Sequence, residues 1–158
     1  MPKSLPKSFP KSFPKSFRLP ALAVASGLLL ASSGVALADQ PSGTWLTQNG
    51  DARIRVAPCG KNICGTVIWL RDAIDPATGK PQTDNKNPDP RRHNRRIVGL
   101  RIFSMAPNAE GGWSGPIYNS DDGQTYAGKV FVRGPRQLEV GGCAGAFCGS
   151  EMWSRVGR

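Results

Sequence analysis

Four cysteines carry the clearest chemistry in this chain. They fall as two pairs with the same gap, Cys59-Gly-Lys-Asn-Ile-Cys64 and Cys143-Ala-Gly-Ala-Phe-Cys148. Two chemistries compete for such a set: a four-thiolate zinc site or disulfides. Zinc ligands of this type usually repeat as C-x2-C, and an oxidising compartment disfavours free thiolates, so no metal site is expected. Four cysteines allow three disulfide connectivities, which spacing alone does not decide. The only imidazole is His93, inside Arg91-Arg92-His93-Asn94-Arg95-Arg96. One histidine excludes a multi-histidine metal centre. No nucleophile stands beside it, no G-x-S-x-G occurs and no paired-carboxylate motif appears. No catalytic residues and no cofactor are therefore expected, and a hydrolase is the least favoured function. The arginine run itself fits a solvated loop pairing with Asp84, Asp89 or carbonyls, and after that an anionic ligand or lipid head group.

Charge bears on the partner. The formal net charge is +10 over 158 residues. Residues 1–18 repeat Pro-Lys-Ser-Leu/Phe, Leu19 to Leu30 is apolar, and Ala36-Leu37-Ala38 closes the stretch. A basic start, an apolar middle and an A-x-A end describe a secretory signal peptide over 1–38. Cleavage there leaves no stable membrane anchor. It removes five basic residues and no acidic one, leaving +5 on residues 39–158. The expected location is periplasmic or secreted, where nucleic acid is not a partner and an even cysteine count reads as disulfides.

Residues 39–158 have the length of one domain. Gly43–Leu46 opens a strand, and Asn49-Gly50 turns into Ala52–Val56. Arg53-Ile54-Arg55-Val56 alternates before Cys59, and Val67-Ile68-Trp69-Leu70 continues after Cys64. Gln137–Val140 and Met152–Val156 flank the second pair in the same way. Two strands joined by a four-residue loop bring the flanking residues together, which favours Cys59–Cys64 and Cys143–Cys148. Ile97–Phe103, Gly115–Asn119 and Thr125–Arg133 complete about eight short strands with no long helix. Regular antiparallel hairpins of this kind build an all-β sandwich or barrel. Asp72 to Arg96 shows no hydrophobic period and holds four prolines. It reads as a long polar loop tied by Asx-turns, or else as a lid or binding loop. It lacks the ligand pattern of a calcium loop.

Several motifs stand in a recognisable order: Gly43-x-Trp45-Leu46, Cys64-Gly65, Trp69-Leu70, Thr78-Gly79-Lys80-Pro81-x-Thr83-Asp84-x-x-Asn87-Pro88, Asn94-Arg95, Trp113-Ser114-Gly115-x-Ile117-Tyr118-Asn119, Asp122-Gly123-x-Thr125-Tyr126 and Trp153-x-Arg155. In these the chain resembles the bacterial family called domain of unknown function 2147. Ser120 departs from the family, which tends to place Pro after Tyr-Asn. The resemblance implies an exported, lipocalin/calycin-like antiparallel β-barrel and no particular activity. Lipocalin-like barrels also carry G-x-W on the first strand and Arg on the last, which casts Trp45 and Arg155 as the stacked pair closing one barrel end. An eight-strand barrel holds one small ligand or fills itself with side chains. Trp69, Trp113, Tyr118 and Tyr126 are the expected wall residues, with Arg95 and Asn119 orienting a polar or anionic head. The leading expectation is a carrier of a small, partly apolar or anionic ligand. The alternative is a module that binds an envelope macromolecule, such as an enzyme inhibitor inserting residues 72–96 into its target.

Overall fold

A computed structural model describes residues 40–157. The expected leader lies outside the described residues. Eight strands follow one another: β1 Gly43–Leu46, β2 Ala52–Cys59, β3 Asn62–Leu70, β4 Arg101–Pro107, β5 Trp113–Asn119, β6 Gln124–Gly134, β7 Gln137–Ala144 and β8 Phe147–Arg155. Each pairs antiparallel with the next, and β1 returns to β8 to close a barrel. The all-β barrel architecture and the strand number agree with the sequence reading.

Alternation explains why one end is solid. In β2 the inward Ile54 and Val56 are buried while Arg53 and Arg55 are exposed. Trp45, Phe103, Met105, Val130 and Leu138 join them in one core. Gly65 leaves the space that the Phe103 ring occupies; a β-carbon there would collide with it. Trp45 is fully buried, and its indole N–H donates to the Pro41 carbonyl at 2.7 Å. The Arg155 guanidinium lies 4.2 Å from the Trp45 ring centre. It also donates to the carbonyls of Pro135, Ser42 and Gln40.

The disulfides are Cys59–Cys64 and Cys143–Cys148. Their loops are tighter than expected. Cys59 pairs with Asn62 and Ala144 with Phe147, so each turn has only two central residues, Gly60-Lys61 and Gly145-Ala146. Cys143 and Cys148 face each other directly, whereas Cys64 lies opposite Ala57 and reaches Cys59 diagonally. Replacing either pair with serine should lower stability by about 2 kcal/mol in urea denaturation, the loss expected for so short a closed loop. A loss of about 4 kcal/mol or more would mean that the bridge holds more than its own hairpin.

One expectation needs correction. The run Ile97–Phe103 is not one strand. Ile97–Leu100 forms a turn with Gly99 at φ +98, and β4 starts only at Arg101. That turn is fastened to β3, because Gly99 N–H donates to the Val67 carbonyl and Val67 N–H to the Leu100 carbonyl. Ile97 and Leu100 are buried because the turn folds onto the core. The segment 72–96 is a loop tied by Asx-turns, as expected, and it carries further local structure. Isolated bridges join Ile74 to Pro81 and Thr83 to Arg96, and a short 3-10 turn, Pro90–Arg92, is capped by Asp89. Asx-turns at Asp75, Asn87 and Asp89 complete it, as their side chains accept from Ala77, Asp89 and Arg91 N–H groups.

Candidate functional site

The core fills one half of the barrel and leaves the other open. A cavity of about 790 Å³ enters from that end. Its deeper wall is apolar and includes Ile54, Val67, Leu70, Ile102, Ile117, Val140 and Trp153. Two register slips shape this wall. Ile54 pairs with Val67 but Arg53 pairs with Trp69, so Ile68 is the extra residue and the facing of β3 reverses beyond it. Leu70 then points into the cavity. Gly65 pairs with Phe103 but Thr66 with Arg101, which makes Ile102 the extra residue in β4 and admits its side chain to the wall.

The rim is acidic. Asp51, Asp72, Asp75, Asp121 and Glu151 border the cavity, against Lys86 as the one basic residue. Asp51 accepts from the Thr47 hydroxyl, Asp75 from Ala77 N–H and Glu151 from the Trp153 indole N–H. Lys86 donates to the backbone carbonyl of Asp121 at 2.5 Å. Among the described residues none of the five carboxylates belongs to an ion pair. A low-dielectric cleft lined by one sign of charge focuses that field at its mouth.

The expected wall residues divide. Tyr126 and Asn119 do border the cavity, at the β5–β6 turn. Both are tied to Asp122, which accepts from the Tyr126 hydroxyl at 2.6 Å and from the Asn119 amide at 3.1 Å. Burial alone would raise the Asp122 pKa. The bonds from Tyr126, Gln124 N–H and Asn119 outweigh it and hold the carboxyl below its ordinary 3.8. Trp69 is a correction: the slip at Ile68 turns it outward, where Arg53 stacks on it at 4.7 Å. Trp113 is another. It pairs with Val130 and packs against the core instead of lining the cavity.

Arg95 is also displaced from the expected role, whereas Tyr118 keeps its place beside the cavity. Tyr118 borders the cavity, and its hydroxyl donates to Asp84 Oδ1 at 2.5 Å. Asp84 is fully buried. Its Oδ2 accepts from Arg95 Nε at 2.7 Å and from the Asn87 amide at 2.9 Å, and Arg95 Nη2 completes the ion pair 2.7 Å from the same oxygen. Arg95 thus lies over the Tyr118 ring at 5.7 Å, on the outer side of the barrel. The network pins residues 84–96 to the barrel wall. Gly123 allows the close approach, because a β-carbon there would strike the Lys86 carbonyl. His93 serves the same fastening, with Nε2 2.7 Å from the Asn87 carbonyl. Among the described residues no cluster of His, Cys, Asp and Glu could hold a metal ion, and no helix is long and apolar enough to cross a membrane.

Comparison with known proteins places this geometry in context. The family model described as an uncharacterized protein conserved in bacteria (DUF2147) matches residues 43–155. No curated protein matches the chain. Among solved structures the barrel is similar to protein HP1028 from the human pathogen Helicobacter pylori, described as belonging to the lipocalin family. The TM-score is 0.64 at 20% identity, over 76% of this chain and 85% of that one. At that identity the likeness shows the fold.

Proposed function

We propose, for a chain that belongs to the DUF2147 family and folds as a lipocalin-like barrel, that it binds one small amphipathic ligand in the open half of the barrel. The cavity carries the reading: its wall is apolar, its mouth is polar, and its volume suits a single small molecule. The ligand's apolar part lies against Ile102, Ile117, Val140 and Trp153. Its polar end sits among the rim carboxylates. That end is neutral or cationic, because the guanidinium once expected to receive an anion, Arg95, is held outside by Asp84. The disulfides fit an oxidising compartment, and export to the periplasm is part of the proposal. The alternative of an inhibitor that inserts residues 72–96 is less well supported, since this segment is fastened down upon the barrel.

The test uses protein recovered from its own periplasm. Native mass spectrometry should detect a bound small molecule, and N-terminal sequencing should begin at Asp39. Titration with alkyl amines, alcohols and carboxylates of one chain length should rank the carboxylate last. Ile102→Trp, which fills the cavity from a half-buried position, should weaken binding by about tenfold or more, with the thermal midpoint little changed. Equal binding by Ile102→Trp and the parent would remove the cavity from consideration.

A further inference from the structure

A second concavity lies on the outer face of the barrel, between the fastened segment and strands β4 to β6. It has a volume of about 230 Å³, and Asn87, Arg92, Arg95, Arg101, Tyr118 and Thr125 border it. Three arginines from two parts of the chain border it. Arg92 and Arg95 come from the 84–96 segment and Arg101 from the start of β4. We propose that this cleft binds a phosphate-bearing anion, either free phosphate or the phosphate of a lipid head group.

Several arginine donors bordering the cleft remain free among the described residues. Asp84 takes Arg95 Nε and Nη2 and so fixes the plane of that guanidinium. The remaining N–H groups, including both on Nη1, keep their capacity. Asp89 is engaged mainly by Arg91, which gives it two hydrogen bonds at 3.0 and 3.2 Å. Arg92 Nε stands farther away, 3.4 Å from the same carboxylate. Arg101 has no acidic partner among the described residues. The Thr125 side chain adds a hydroxyl from β6. Arg92, Arg95 and Arg101 border the cleft and no carboxylate does; Asp84 and Asp89 offset part of this charge and leave it positive. Arginine forks, with that of Arg95 already held in one orientation, are donors suited to a tetrahedral oxyanion. The acidic rim rejects such an anion from the main cavity, so the two sites take different ligands.

The test is titration of the full-length mature protein with inorganic phosphate, followed by amide chemical shifts. Saturable shifts at Arg101, Gly123 and Thr125 are expected, and chloride at matched ionic strength should not reproduce them. Arg92→Gln and Arg101→Gln together should weaken the response by about tenfold or more, the loss of charge-assisted hydrogen bonds. Both residues are exposed, so the thermal midpoint should hold. Arg136→Gln, another exposed arginine, should leave binding unchanged. Co-sedimentation with phosphatidylglycerol or phosphatidylcholine vesicles separates the two sources. Binding to the anionic vesicles that is lost in the double variant, without a free-phosphate response, assigns the site to lipid head groups. No saturable response to either probe, a chloride response equal to that of phosphate, or binding indifferent to the double variant overturns the proposal.

Discussion

Trp45→Ala should lower the unfolding free energy by about 3–5 kcal/mol, the range for truncating a buried tryptophan. The indole plugs the closed end, and nothing nearby can collapse into its place without opening the barrel. Its loss also orphans the Pro41 carbonyl and removes the surface on which Arg155 stacks. Urea denaturation with the disulfides intact measures the effect, with m expected to stay constant. Arg155→Lys should show a smaller loss in the same direction. A lysine keeps the charge but cannot reach the Pro135, Ser42 and Gln40 carbonyls together while lying flat on the ring. A Trp45→Ala loss below about 1 kcal/mol would mean that the indole is not the plug.

Asp84→Ala should be the most damaging change outside the core. Removing one partner of a buried ion pair costs about 3–5 kcal/mol when the other charge is left buried. Arg95 retains 36% side-chain exposure and can recover water, so a loss of about 2–4 kcal/mol is expected. The Tyr118 hydroxyl and the Asn87 amide lose their acceptor together. Residues 84–96 should loosen, and trypsin should then cut at Arg91 to Arg96 while the barrel stays resistant. Equal trypsin resistance in the variant and the parent would show that the segment is held by other means. Tyr118 links the network to pH. Burial first, and then its bond to Asp84, raise its pKa above the ordinary 10.0. The fold therefore prefers the neutral phenol. This contribution is complete below pH 10 and is lost as pH rises through the raised value. The stability difference between the parent and Tyr118→Phe should be flat from pH 7 to 9 and shrink above 10.

Local features were legible in the sequence. The β1 strand, the Asn49-Gly50 turn and both disulfides follow from neighbours in the chain. The Trp45–Arg155 assignment came from a resemblance and not from periodicity. The cavity wall was not legible, because alternation carried past Ile68 assigns Trp69 to the inside and one inserted residue reverses it. Ile102 was missed for the same reason in β4. Asp84 was legible as a partner of the arginine run, but its burial was not. Its burial depends on Tyr118, which lies 34 residues away. Arg101 gave no signal either, since only barrel closure brings it beside Arg92 and Thr125.

The seam between β1 and β8 has a kinetic consequence. Seven of the eight strand pairings join sequence neighbours, and six of these span short turns that can zip up locally with little loop-closure cost. The eighth pairs the two ends of the domain over just Trp45–Arg155 and Leu46–Ser154. Closure there should come last in folding, and rupture there should come first in unfolding. Interactions formed after the transition state act chiefly on the unfolding rate. The stacked tryptophan and arginine are then a latch on lifetime: weakening them should shorten survival against proteases more than it slows refolding.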